Sequence, residues 1–329
     1  MSPQNKFAFI LFVFLVLIIF STFGCKNPSA KPGNSTQELV IFHAGSLAIP
    51  VKQICDSFGI AHPNLRIKPE AAGSVASARK ITDLNRNCDV FLSADQTVID
   101  KFLIPDFATW SIGFVSNKMS IVFTENSRYS NQINNANWHE ILLRDDVRFG
   151  RSDPNSDPCG YRTVISMELA GKMRIDSTFI HHFIEKDTRF IRPKEVDLIA
   201  LLETQTVDYI FIYQSVAVQH QLKFLALPDS INLGNPLLTD WYRNAHIEIN
   251  GKQPGEKIVQ KGEPMIYGVT IPHQSTNPAL ALEFVEFLLD AQKGMKILER
   301  NGQPSVLPSN ATGYEKIPVS LQKFAIKAN

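Results

Sequence analysis

From Glu38 onward, apolar positions fall into alternating short and long patterns. "ELVIFHA" is a compact apolar run suited to a buried parallel strand, and "SLAIPVKQICDSFGIAH" behind it has helical spacing. "LRIKPEAA" predicts the next strand, "SVASARKITDLNRN" a second helix and "CDVFLSA" a third strand. A second set opens with "SIVFT" (Ser120–Thr124) and "VRFG" and runs through the strand "VDYIFIY". "YGVTIP" (Tyr267–Pro272) adds one more strand. "PALALEFVEFLLDAQKGMKILERNG" predicts a C-terminal helix interrupted at Gly294 and stopped at Gly302. This alternation predicts α/β architecture in two lobes, each a mainly parallel sheet flanked by helices. The two chain crossings are expected near Val115–Val122 and Pro264–Val269. Residues 38–117 with 265–329 form lobe 1 in this reading, and 118–264 form lobe 2.

The N-terminus follows a different pattern. Lys6 precedes the apolar run Phe7–Phe20, small residues follow, and "STFGC" ends at Cys25. One cation, an apolar core and a small-residue exit predict a signal peptide over residues 1–24. The Gly24-Cys25 ending resembles a bacterial lipobox, in which Cys25 is lipidated. Ordinary cleavage and an uncleaved anchor remain as alternatives, although the run is short of the ~20 residues a span needs. Residues 25–37 are polar with Pro and Gly, as a flexible tether from a membrane lipid would be.

Composition removes several function classes. The chain has 329 residues, 44% of them hydrophobic, enough for a large core and too many for a disordered chain. Its formal net charge is +1 and no basic block stands out, so nothing supports a nucleic-acid partner. Apart from Cys25 there are Cys55, Cys88 and Cys159, an odd number that leaves at least one thiol free or intermolecular. A Cys55–Cys88 bridge stays open.

In folds of this kind, ligands bind outside the carboxyl ends of strands, where helices begin. Two such junctions share the tripeptide Ala-Gly-Ser, at Gly45-Ser46 and at Gly73-Ser74. Glycine admits close approach of a ligand, and serine offers a hydroxyl beside uncompensated helix N–H groups. Two such helix starts facing one cleft attract an anion without a formal cation. The same serines would equally serve as ordinary helix caps. The third junction is "DPNSDPCGYR" (Asp153–Arg162), where Asp157 is also a candidate cap. At the fourth, Pro193 in a first helical turn would put Glu195 at a helix start. Glu203 lies ~12 Å further along that helix and reads as a solvated face. Tyr213 ends a strand and offers a phenol to the cleft.

Taken together, "AGSL", "AGSVA", "SAD" (Ser93–Asp95), "DPCGYR", Lys194–Leu198, Asp208–His220, "INLG" (Ile231–Gly234) and "YGVTIP" resemble the tungstate/molybdate-binding proteins of ABC transporters. The likeness is to their archaeal-type tungstate-binding branch and runs in order from about Leu39 to Pro308. It implies a two-lobed, type II periplasmic-binding-protein fold. It also implies an extracytoplasmic lipoprotein, monomeric and without a cofactor, that captures an oxyanion and delivers it to a permease. Carried over by position, the oxyanion pocket falls on Gly45, Ser46, Ser74, Pro158, Cys159 and Tyr213, with Asp157 and Glu195 as ligands to the metal. The segment Lys172–Arg192 is shorter than in archaeal members, so Glu195 is placed by "PKEVDL" and by its spacing to Tyr213.

Paired acids are costly beside a dianion, since each unit repulsion is ~4 kcal/mol at 4 Å with an effective dielectric of 20. Charge-assisted hydrogen bonds return only ~1.5–3 kcal/mol each. Sulfur and phosphorus do not readily accept more oxygens, whereas tungsten(VI) and molybdenum(VI) do. Carboxylates at Asp157 and Glu195 would then be metal ligands and a filter against tetrahedral anions. The alternatives are a receptor for sulfate, phosphate or a ferric complex, an enzyme using Cys159 as nucleophile with His43 as base, and an adhesive lipoprotein.

Overall fold

The computed structural model describes residues 37–174 and 178–327, and Glu38–Asn329 form one compact unit. The predicted signal peptide, the Cys25 lipidation site and the tether up to residue 36 lie outside the described residues. Among the described residues, no helix is long and apolar enough to cross a membrane.

The first apolar run becomes β1 (Gln37–His43), whose Leu39, Ile41 and Phe42 are fully buried. Burying side chains of this size stabilises the fold by ~1.5–3 kcal/mol each. A short turn at Gly45–Leu47 leads into α1 (Ala48–Ala61), which buries Val51, Ile54 and Phe58. β2 (Leu65–Ala71), α2 (Ser74–Thr82), β3 (Val90–Ser93) and β4 (Ser111–Ser116) follow. The chain then enters the second sheet with β5 (Met119–Phe123), β6 (Phe149–Ser152), α3 (Pro158–Arg174), β7 (Ile191–Arg192), α4 (Asp197–Glu203), β8 (Tyr209–Tyr213), α5 (Gln214–Gln219) and β9 (Lys223–Ala226). After a ribbon of β10 (His246–Asn250) and β11 (Lys257–Lys261), it returns to the first sheet at β12 (Ile266–Thr270). α6 (Pro278–Leu289), α7 (Gly294–Arg300), β13 (Ser309–Thr312) and β14 (Ala325–Lys327) complete the fold.

Two sheets result, of order β14-β13-β4-β12-β3-β1-β2 and β7-β6-β8-β5-β9. Each, with its helices, is called a lobe below. β1 with β3, and β6 with both β7 and β8, pair in parallel. Antiparallel pairs appear where the chain arrives from the other sheet: β12 lies antiparallel between β3 and β4, and β5 between β8 and β9. The sheets are therefore mixed, because a strand returning from the other lobe enters from the opposite end. The C-terminal helical run is two helices, since a Cβ at Gly294 would meet the Leu288 carbonyl oxygen at 2.3 Å, a turn that only glycine allows. The β10–β11 ribbon was not predicted, although "HIEIN" and "KIVQK" alternate as strands should.

Candidate functional site

Both Ala-Gly-Ser junctions lie at the ends of lobe 1 strands, and the fold presses them against lobe 2. The Ala76 N–H donates to the Ser156 carbonyl across the cleft at 3.1 Å. Neither serine acts as a cap. Ser74 opens α2 and accepts at its Oγ from the Ala94 N–H at 2.9 Å, which ties α2 to the end of β3. The Ser46 hydroxyl shares a 2.8 Å bond with the Tyr267 phenol, and Asn117 donates to that phenol at 2.9 Å and to Ser215 at 2.7 Å. The Ser46 carbonyl accepts from Gln303 at 3.2 Å. Both serines are fully buried. In α2 the first intrahelical bond is from the Ser77 N–H to the Gly73 carbonyl, which leaves the Ser74 and Val75 N–H groups ahead of it; beyond Ser46 the Leu47 N–H already donates to the Ala44 carbonyl at 3.1 Å.

Opposite them, Asp157 precedes α3 and performs the capping role that the sequence allowed. Its Oδ1 accepts from the Cys159 N–H at 3.1 Å. Its Oδ2 accepts from the Glu195 N–H at 2.8 Å, which joins the third and fourth junctions. Glu195 does not begin a helix, because α4 starts two residues later at Asp197. Pro193 fixes the approach to a turn, and that turn aims Glu195 at lobe 1. Its carboxylate lies over Gly45, where a Cβ would stand 2.8 Å from Oε2. Glu195 is fully buried; its carboxyl meets the Asp157 carboxyl and the Ser46 backbone, and no cation or side-chain donor other than that acid faces its oxygens. Two buried acids in contact without a cation are expensive to ionise, and a cationic or Lewis-acidic occupant would relieve that cost.

Burial raises Glu195 well above the ordinary carboxylate range, and the neighbouring Asp157 charge raises it further; burial raises Asp157 as well. A carboxyl raised in the fold holds its proton more tightly there than in the unfolded chain. That preference adds stability at acid pH, and the contribution is lost as pH climbs through the folded-state value. As pH rises above the ordinary carboxylate range, ligand-free protein should therefore lose melting temperature that Glu195→Gln retains. Parallel curves for the two proteins would show that the pair is not strained.

Pro158 starts α3, where its missing N–H is harmless. Tyr213 is fully buried at the end of β8, its ring centroid 6.0 Å from that of Tyr267 and its oxygen accepting from Arg162 at 3.1 Å. Gly45, Asp157 and Glu195 thus meet between the lobes, Ser46 and Tyr213 lie behind them through Tyr267, and the Ser74 hydroxyl and Cys159 thiol are turned to Ala94 and Phe211. The sequence reading left out the side chains of Asn117, Arg162, Ser215 and Tyr267. Arg162, Ser215 and Tyr267 sit inside the quoted motifs, whereas nothing local marked Asn117.

The thiol does not have the setting of a nucleophile. The Cys159 Sγ faces the Phe211 carbonyl at 3.7 Å, and burial pushes the thiol well above its usual value. His43 is held at about 4 by burial and meets the Ala44 carbonyl through Nδ1 at 2.8 Å. Cys55, Cys88 and Cys159 are all unpaired and buried. Iodoacetamide at neutral pH should leave Cys159 of the folded protein unmodified under conditions that label it after unfolding in guanidinium. Fast labelling of the folded form would revive the enzyme alternative.

The model for bacterial extracellular solute-binding proteins matches residues 39–303. An uncharacterised solute-binding protein of Petrotoga mobilis is 46% identical over 98% of this chain and 98% of its own. The molybdate/tungstate-binding protein WtpA of Pyrococcus abyssi is 40% identical over 90% of this chain and 93% of its own. Among solved structures, the periplasmic molybdate-binding protein of Azotobacter vinelandii aligns with a TM-score of 0.59 at 14% identity, covering 80% of this chain and 98% of that one. That likeness shows the two-lobed periplasmic-binding-protein fold and carries nothing about the ligand.

Proposed function

The chain belongs to the bacterial extracellular solute-binding proteins, and on that footing we propose that it captures tungstate or molybdate between its lobes for delivery to an ABC permease. One observation carries the choice of ligand: the Glu195 carboxyl is buried against the Asp157 carboxyl with no cation facing either. Sulfate has no proton to give such a group, and hydrogen phosphate could use one carboxylate acceptor but not two in contact. A metal(VI) oxyanion can use both, because carboxylate oxygens can enter the coordination sphere of its metal. The name of the 40%-identical Pyrococcus relative supports the same ligand class.

In this reading, Asp157 and Glu195 coordinate the metal from lobe 2. The Gly45–Ser46 and Ser74 backbone of lobe 1 supplies N–H donors to the oxo groups, and Tyr213 adds a phenol. The ligand then bridges the lobes and favours the closed form, which offers both lobe surfaces to the permease. A lipid at Cys25 would hold the protein at the membrane.

Isothermal titration of residues 26–329 with tungstate, molybdate, sulfate and phosphate tests the ligand class. Tight binding of the first two and none of the others is the expected result. Tight sulfate or phosphate binding would contradict the role given to the carboxylates.

A further inference from the structure

Asp95 ends "SAD" on lobe 1 and Tyr161-Arg162 ends "DPCGYR" on lobe 2, yet the ligand site described above uses none of these side chains. They meet across the cleft. The Asp95 Oδ1 serves its own lobe, accepting from the Thr97 N–H at 2.9 Å. The Oδ2 serves the other lobe. It accepts from the Tyr161 phenol at 2.5 Å, pairs with Arg162 Nη2 at 3.1 Å, and lies 3.5 Å from Gln260 Nε2 on the ribbon strand β11. Arg162 also donates to the Ala94 carbonyl at 2.7 Å and to the Tyr213 oxygen at 3.1 Å. One guanidinium therefore joins the proposed ligand pocket to the cross-cleft contact.

We propose that Asp95, Tyr161 and Arg162 form a closure latch, positioning residues that set how long a bound oxyanion is held without touching it. The inference rests on the lobe-closure reading above. The Arg162 and Asp95 side chains keep only 4% and 8% of their exposure. Opening the cleft would return both to water. A buried ion pair roughly offsets its own desolvation, so the latch specifies one closed geometry without forcing closure in the absence of ligand. Once the ligand has drawn the lobes together, three donors on one oxygen must let go before release.

The test is the rate of tungstate release, measured by chase with excess molybdate, together with the association rate. Tyr161→Phe removes one cross-cleft bond. The vacated space adjoins a cavity of about 260 Å³ that also borders Asp95, so water can reach the carboxylate and the variant should fold. Asp95→Asn keeps an oxygen for Thr97 and turns an amide N–H toward three donors. Release should quicken about tenfold in Tyr161→Phe and further in Asp95→Asn, with association changed less than about twofold. Because both act through one oxygen, the double variant should release no faster than Asp95→Asn alone. Unchanged release in both variants, with only melting temperature shifted, would reduce the cluster to a structural role and overturn the latch. If wild type binds no tungstate but takes another of the four oxyanions, the ligand reading fails and the same rates are measured with that anion. If none binds, the latch falls with it.

Discussion

Glu195→Gln should weaken tungstate binding by at least about 100-fold, or ~2.7 kcal/mol, while leaving any sulfate affinity unchanged or improved. The asymmetry follows from what each anion asks of the site. For tungstate the carboxylate is an inner ligand whose negative charge is neutralised by the metal, and the neutral amide is a poorer donor that leaves the coordination sphere short. For sulfate an ionised carboxylate is only a repulsive neighbour, ~4 kcal/mol for each pair of unit charges at 4 Å, so its replacement should not weaken binding. Asp157→Asn should act in the same direction and cost additional stability, because Asp157 also holds the Cys159 and Glu195 N–H groups. Titration of both variants with both anions decides the matter. Equal losses for tungstate and sulfate would remove the carboxylates from the coordination sphere.

Gly73→Ala should cost a further large factor by a separate route. Gly73 has φ −57° and ψ 139°, a conformation any residue accepts, so alanine there strains nothing within lobe 1. In the closed protein, however, its Cβ would stand 2.2 Å from the Ser156 carbonyl oxygen and 3.0 Å from that of Pro193. Both atoms are lobe 2 backbone and cannot swing aside as a side chain would. The lobes would have to stop short, leaving Ser74 and the carboxylates too far apart for one ligand. Apparent affinity scales with the fraction that can close, and a loss of 10- to 100-fold is expected. The ligand-free variant should still melt cooperatively, since neither lobe is strained internally. Calorimetry and a thermal melt on one preparation read both quantities. Wild-type affinity in Gly73→Ala would mean that the lobes do not approach this closely around the ligand.

The strands were legible because each is a short apolar run bounded by turn residues, and β8 (Tyr209–Tyr213) shows this most plainly with all five residues buried. The Ala-Gly-Ser repeat marked two faces of the site through backbone needs that local sequence exposes. What the serines do was not legible. Ser74 bonds to Ala94 and Ser46 to Tyr267, contacts between elements 20 and 221 residues apart. Asp157 and Glu195 lie 38 residues apart, and the bond between them exists only because two junctions converge. Arg162 was quoted in a motif and given no role, since helical spacing said only that it belonged to α3. Its partners Ala94, Asp95 and Tyr213 come from both lobes. Periodicity predicts which face is buried and is silent about which polar group waits there.

X-ray absorption at the tungsten edge of the tungstate complex tests the central claim most directly, because it counts the oxygens around the metal without reference to affinity. The account predicts a six-coordinate tungsten, with four short oxo contacts and two longer oxygens that are lost one at a time in Asp157→Asn and Glu195→Gln. A regular four-coordinate tetrahedron in the wild-type complex would contradict it, and would leave the buried pair of acids without an explanation.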